Sequence, residues 1–164
     1  MTPQQRIKTL RTLMHKRKIA ATIIPGTDPH ASEYSPDYWK EREWISGFNG
    51  SAGTVVVTST DAGLWTDSRY FLQADEQLSG NGIRLFKDGL IETPSITDFL
   101  VESLKTGDSV AVNPEMFYIS AIADLQNQLQ QHGIELNTSY DLIGEISIAK
   151  DDWNKLNISS FLVD

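Results

Sequence analysis

Apolar side chains at helical spacing open the chain. Ile7, Leu10 and Met14 recur every three or four residues behind a Thr-Pro pair, which is a favourable helix start. The pattern predicts an amphipathic helix over residues 3–18. The apolar and β-branched residues 20–24 predict a strand that a Pro-Gly pair closes. The apolar stripe of the helix is therefore expected to pack on a sheet.

A hairpin is predicted in the middle of the chain. The β-branched run at residues 54–58 indicates a buried strand, and an Asp-Ala-Gly turn at 61–63 is expected to lead back into a second strand at 64–66. Before the hairpin, the aromatic and charged residues of 38–45 favour a short helix, which the glycines of 47–53 end.

Helices and strands alternate in the rest of the chain. Each predicted helix carries apolar residues at helical spacing, ends near a glycine and is followed by a short apolar strand. The helices are expected at 69–78, between Ser95 and Gly107, and from Ile119 to near Gly133, and the strands at 83–87, 110–112 and 134–136. This alternation predicts an α/β fold with a mixed β-sheet flanked by helices.

Length and composition place the chain among ordinary globular proteins. It has 164 residues, of which 40% are apolar and 22% charged, and this length fits one domain. We expect that domain at residues 1–146, with 147–164 as a tail or the start of a linker to an absent downstream domain. The chain has no cysteine, which excludes thiol nucleophiles, cysteine-ligated zinc and iron–sulfur clusters.

The charge balance argues against nucleic acid as a partner. Fourteen Lys and Arg against 22 Asp and Glu give a net charge of -8, the wrong sign for a phosphate-binding surface. No apolar run is long enough to span a membrane, so we expect a cytoplasmic protein without a membrane partner. Residues 1–27 are basic and free of acids; an organellar transit peptide is an alternative interpretation, although a solvated basic helix face is favoured.

The sequence lacks the residue patterns of several catalytic and ligand-binding sites. The three histidines lie far apart in sequence, which excludes a two-histidine zinc site on one helix. The glycine-rich residues 47–53 lack the lysine of a phosphate loop and precede a strand instead of a helix. Ser51 has no Gly-x-Ser-x-Gly frame.

Polar groups at two predicted strand ends are the remaining candidates for a site. His30 and Glu33 follow the first strand together with Asp28, and Asp67 and Arg69 follow the second strand of the hairpin. Loops at strand ends carry ligand contacts in α/β proteins. The structural alternative is that Asp67 caps the next helix and that Arg69 pairs internally with Asp67 or Glu33.

Three sequence blocks carry a resemblance to a known family. They are IIPGTDPHASEY at 23–34, REWISGFNGSAGT at 42–54 and LWTDSRYFLQA at 64–74. In order, spacing and identity they resemble the N-terminal domain of Xaa-Pro aminopeptidase, or aminopeptidase P, of the long three-domain type. The resemblance extends over about residues 4–146. Beyond Ile146 the chain departs from the family pattern, which continues through a Trp and an Arg-Pro pair into the second domain.

The resemblance implies a fold and an activity. The fold is that of the creatinase/prolidase N-terminal domain, which is ribonuclease H-like. The complete enzyme removes the N-terminal residue that precedes proline, so its substrate is a peptide with proline at the second position. Two metal ions, usually manganese, are held by a separate catalytic domain, which this chain lacks. We therefore expect no cofactor in this chain, no activity from it alone, and as partners its own catalytic domain and a second copy in a homodimer.

The resemblance also assigns roles to individual residues. Arg69 would face the part of the substrate beyond proline, and Glu33 would support it or the subunit contact. With Asp67 and His30 they form the candidate substrate-binding set, and no residue is assigned to catalysis or to a metal. One alternative is a stand-alone, metal-free protein-interaction module of the same fold. Another, a related amidino- or dipeptide hydrolase, is disfavoured by the block at 42–54.

Overall fold

The computed structural model describes residues 2–26, 41–117 and 119–146. Helices and strands alternate along these residues. The helices are α1 (Pro3–Lys16), α2 (Glu41–Ser46), α3 (Phe71–Leu78), α4 (Ile96–Ser103) and α5 (Ile119–Gln130). The strands are β1 (Ala21–Pro25), β2 (Thr54–Thr58), β3 (Ala62–Thr66), β4 (Arg84–Lys87), β5 (Ser109–Val112) and β6 (Glu135–Asn137). Residues 142–146 are also helical.

The six strands form one mixed sheet in the order β4-β3-β2-β1-β5-β6. β2 runs antiparallel to both β1 and β3, whereas the pairs β3/β4, β1/β5 and β5/β6 are parallel. The expectation of an α/β fold with a mixed sheet is confirmed. Because of these strand directions, the carboxyl ends of β1, β3, β4, β5 and β6 lie at one side of the sheet, which we call the carboxyl edge.

Apolar side chains cover both faces of the sheet. On one face lie the buried residues of α1, α2, α3 and the helical residues 142–146. On the other face α4 and α5 contribute Phe99, Leu100 and Leu129. Alternation along each strand sends successive side chains to opposite faces, which gives a three-layer arrangement.

The helix α1 begins where the sequence predicts and ends two residues earlier. Thr2 and Gln5 form a capping box at its start. At its end Lys18 adopts a left-handed conformation with φ 59°, and the amide of Ile19 donates to the carbonyl of Met14 at 2.8 Å. This turn closes the helix, so the predicted boundary at residue 18 was wrong.

The hairpin turn also lies earlier than predicted. β3 begins at Ala62 instead of residue 64, because Ala62 and Gly63 pair with Val57 and Val56. The turn at residues 59–61 is closed by Thr58, whose hydroxyl accepts the amide of Asp61 at 2.9 Å. The Asp-Ala-Gly sequence is thus divided between turn and strand.

Trp44 and Trp65 are buried. Trp65 is 4% exposed and stacks on Phe86 with ring centroids 4.0 Å apart, and Trp44 is 9% exposed. Trp39 lies outside the described residues. Within the part of the chain that the structure describes, no helix is both long and apolar enough to cross a membrane.

Candidate functional site

Asp67 and Arg69 lie at the carboxyl edge, directly behind β3. The last strand residue, Thr66, is buried and donates its hydroxyl hydrogen to the carbonyl of Ala52 at 2.7 Å. The chain then enters a single 3-10 turn, Ser68–Tyr70, before α3. The helix that the sequence predicts from residue 69 therefore begins two residues later, at Phe71, behind this turn.

The two charged residues bind each other. The Nε and Nη2 atoms of Arg69 donate to the two carboxylate oxygens of Asp67, each at 2.9 Å. Asp67 also accepts the backbone amide of Arg69 at 3.0 Å, so it caps the 3-10 turn. The structural alternative derived from the sequence is thus observed: Asp67 is a cap and is the internal partner of Arg69.

The Asp67–Arg69 pair faces solvent, and Arg69 keeps N–H groups that Asp67 does not bind. The side chain of Arg69 is 67% exposed and that of Asp67 40% exposed. Hydrogen bonds from the Arg69 side chain hold the pKa of Asp67 below its usual value, so the carboxylate is ionised at neutral pH. A guanidinium has five N–H groups, of which Asp67 takes two, so three remain for another acceptor.

A buried arginine shapes the neighbouring glycine loop, residues 47–53. Arg42 of α2 is 5% exposed and donates to the carbonyls of Gly50 and, at 3.2 Å, Gly53. Its guanidinium carbon lies 5.1 Å from the ring centroid of Phe48, which is fully buried. A Cβ at Gly50 would overlap this ring, so only glycine fits there.

Side chains of α3 hold the outer part of the glycine loop. Gln73 and Gln77 donate to the side-chain oxygen of Asn49 at 2.7 and 2.9 Å. The hydroxyls of Ser51 and Tyr70 are hydrogen-bonded to each other. The loop is therefore attached to the same segment that carries Arg69, and the Arg69 guanidinium lies 5.1 Å from the ring of Tyr70.

Asp67 lines an open cleft of about 360 Å³ at the carboxyl edge. Gly53 and Trp65 contribute to one part of its lining, Ile96 at the start of α4 to another, and Asp67 and Asp88 supply carboxylates. The cleft combines apolar and charged surface, as sites for peptides and small polar molecules do.

The structure brings together only part of the predicted set. Asp67 and Arg69 are in contact, whereas Asp28, His30 and Glu33 lie outside the described residues, and their predicted roles stay predictions. Among residues 2–26, 41–117 and 119–146, no group of three His, Asp or Glu side chains could hold a metal ion. The described residues therefore do not fit a two-metal centre.

Sequence reasoning from residue types missed several groups at this edge. Arg42 was not singled out, because nothing local shows that an arginine on a short helix donates to carbonyls eight and eleven residues away. The role of Tyr70 was also missed. The spacing of Gln73 and Gln77, one helical turn apart, is a signal for a shared partner, although the sequence does not identify that partner as Asn49.

The fold is that of a known domain class. Residues 6–143 match the family model described as the creatinase/prolidase N-terminal domain. Because the match covers most of the chain, the chain belongs to this family.

The similar proteins with curated names are Xaa-Pro aminopeptidases. The chain is 41% identical over 118 residues to Xaa-Pro aminopeptidase ApepP of Drosophila melanogaster, covering 72% of this chain and 19% of that protein. It is 36% identical over 146 residues to Xaa-Pro aminopeptidase 1 of Dictyostelium discoideum, covering 89% of this chain and 23% of that protein. The chain thus spans about a fifth of the length of these relatives and corresponds to their N-terminal domain.

Solved structures give the same result. The X-prolyl aminopeptidase of Caenorhabditis elegans, described as a cytosolic enzyme with a di-nuclear active site, aligns with a TM-score of 0.81 at 34% identity over 88% of this chain and 25% of that chain. The N-terminal domain of the peptidase PepQ of Mycobacterium tuberculosis aligns with a TM-score of 0.62 at 18% identity, covering 87% of this chain and 98% of that chain. The latter similarity shows the fold alone.

Proposed function

We propose that this chain is the non-catalytic N-terminal domain of a cytoplasmic, metal-dependent Xaa-Pro aminopeptidase and that it binds the distal part of the peptide substrate. The single observation that carries the substrate role is the exposed Arg69 guanidinium, which keeps three N–H donors free and is bound to Asp67, a residue that lines an open cleft. The family membership supports the choice of a peptide with proline at the second position.

The chemistry of the Asp67–Arg69 pair suits this role. Two hydrogen bonds to Asp67 fix the plane of the Arg69 guanidinium. Its remaining N–H groups are left to donate to an acceptor on a ligand. A peptide carbonyl or the terminal carboxylate of a short peptide offers such an acceptor. The glycine loop, held by Arg42 and α3, forms the adjoining wall.

The catalytic chemistry is assigned to a separate domain. The described residues contain no suitable ligand set, so the paired metal ions, which we expect to be manganese, would be held by the downstream catalytic domain. That domain and a second copy of the protein in a homodimer are the proposed partners. His30 and Glu33 belong to the proposed substrate-binding set through the family resemblance.

Replacing Arg69 with alanine in the complete enzyme should lower kcat/KM for tripeptides and longer substrates. The expected loss is about 1.5–3 kcal/mol of transition-state stabilisation, roughly ten- to hundredfold, because a charge-assisted hydrogen bond is removed. Steady-state kinetics on an Xaa-Pro-Xaa peptide series measures it. Arg84→Ala is the matched control, since Arg84 is also exposed and paired with an aspartate, but it begins β4 and so lies at the opposite end of the strands from the carboxyl edge. Equal kinetics for Arg69→Ala and the parent enzyme would remove the proposed role.

The 164-residue chain by itself should not hydrolyse an Xaa-Pro-Xaa peptide when manganese is added. The physical reason is that catalysis through paired metal ions needs a converging set of carboxylates and imidazoles. Release of the N-terminal residue, followed by chromatography, measures the activity, with a complete Xaa-Pro aminopeptidase as the positive control. Turnover that survives repurification and is lost with chelator would overturn the assignment of catalysis to another domain.

A stand-alone protein-interaction module is the second candidate function. Two large aliphatic side chains near the carboxyl edge favour it: Leu72, at the start of α3, is 75% exposed, and Ile91, beyond β4, is fully exposed. A natural transcript that encodes this domain without a downstream metal-ligand domain would support this candidate over the aminopeptidase.

A further inference from the structure

A second, much smaller cavity lies elsewhere along the carboxyl edge. It has a volume of about 10 Å³ and lies where the parallel strands β1 and β5 end, beneath residues 140–143. A single water molecule needs roughly 10–15 Å³ of such space and two to four polar partners. The cavity is therefore the size of one water.

Thr22 lines this cavity with a buried hydroxyl. The residue is 4% exposed, and its Oγ1 has no hydrogen-bond partner in the described part of the chain. Alternation along β1 places Thr22 on the same face as Ile24, which packs toward α1 and α2. A buried hydroxyl without a partner costs about 1–3 kcal/mol, so a partner is expected.

Glu41 lines the same cavity with a buried carboxyl group. It is the first residue of α2 and is 8% exposed. Burial, together with the negative charge of Asp141, raises the pKa of Glu41 to about 8. The carboxyl is then protonated at neutral pH and can both donate and accept a hydrogen bond.

Three other polar side chains line the cavity, Asn113, Tyr140 and Asp141, and none of them is fully buried. The side-chain oxygen of Asn113 accepts the amide of Glu115 at 3.0 Å. The carboxylate of Asp141 accepts the amide of Gly144 at 2.9 Å. Thr22 and Glu41 are consequently the two groups that best suit a small hydrogen-bonding ligand.

We propose that this cavity is a binding site for one ordered water molecule that bridges the Thr22 hydroxyl and the Glu41 carboxyl. The water satisfies the buried hydroxyl and fixes the start of α2 on β1. The next residue of α2 is Arg42, which holds the glycine loop. The water site thus positions the helix that shapes the candidate site, and it does not depend on the proposed substrate.

The direction in which one substitution changes the unfolding equilibrium constant tests the proposal. Thr22→Val exchanges the hydroxyl for a methyl group of similar size and keeps the β-branched shape. If a water is bound, the variant removes one of its partners, and we expect the unfolding equilibrium constant at pH 6.5 to rise about three- to tenfold. If the cavity is dry, the variant removes an unpaired buried hydroxyl and the constant falls. Urea denaturation of this chain measures it.

A control and a direct observation accompany this variant. Thr66→Val is the matched change at a threonine that is 2% exposed and whose hydroxyl has a protein acceptor, so it should destabilise in either case. Water-selective nuclear Overhauser spectra of the parent chain should show a long-lived water next to the Thr22 methyl group. A fall in the unfolding constant for Thr22→Val, or the lack of this water signal, would overturn the proposal. Stabilisation by calcium chloride that Glu41→Gln abolishes would also overturn it in favour of a cation.

Discussion

Replacing Arg42 with methionine should lower the free energy of unfolding by about 2–4 kcal/mol. Methionine keeps much of the aliphatic stem but removes the guanidinium that donates to Gly50 and Gly53. Both carbonyls would then be left without this donor, and the contact with the ring of Phe48 would be weakened. Guanidinium denaturation followed by tryptophan fluorescence measures the loss.

Arg84 is a control that separates the effect of burying an arginine from the effect of pairing it. It also pairs with a carboxylate, Asp61, and its guanidinium lies 4.7 Å from the ring of Phe86, but its side chain is 59% exposed. Arg84→Met should therefore change stability by no more than about 1 kcal/mol, as solvent-exposed ion pairs do. Similar losses for both variants would show that burial of Arg42 adds nothing to the stability of the loop.

Replacing Glu41 with glutamine should abolish a loss of stability that the parent chain undergoes as the pH rises. The pKa of Glu41 is raised from 4.5 to about 8, chiefly by burial and further by Asp141. Between these values the unfolded carboxyl is ionised while the folded one keeps its proton, so stability falls with increasing pH. The fall begins near pH 4.5 and is complete above about pH 8, and it amounts to roughly 5 kcal/mol.

The measurement is the free energy of unfolding from pH 4 to 9 in three proteins. Relative to the parent, Glu41→Gln should gain stability progressively over this range, because its amide cannot ionise. Glu43→Gln makes the same charge change on the same helix at a partly exposed position and serves as the matched control. A parent chain and a Glu41→Gln variant with parallel pH profiles would contradict the assignment of a proton to Glu41 at neutral pH.

Much of the local structure could be predicted from the sequence. Hydrophobic periodicity locates the six strands and the helices α1, α3, α4 and α5, since each element has to bury an apolar face, but it did not predict the helical residues 142–146. The other errors lie at boundaries that depend on single conformations or hydrogen bonds. Lys18 ends α1 by adopting a left-handed conformation, and the Thr58 side chain moves the hairpin turn forward.

The candidate site could be predicted only in part. Asp67 and Arg69 are two residues apart, so their pairing is a local property that the sequence suggests. The hydrogen bonds from Arg42 to the glycine loop, and the one between Ser51 and Tyr70, join residues that are not neighbours in the chain. No spacing rule predicts such contacts from the sequence. The family resemblance marks the same segments as important without giving the contacts.

The sequence by itself determined the succession of helices and strands, the absence of cysteine chemistry, and membership of the family through three motif blocks. The strand order, the common position of five strand ends at one side of the sheet, and the burial of Glu41, Arg42 and Thr22 depend on the tertiary structure. The reason is physical: periodicity and capping act between near neighbours in the chain. The environment of a charge or a hydroxyl depends instead on which distant segments exclude water from it.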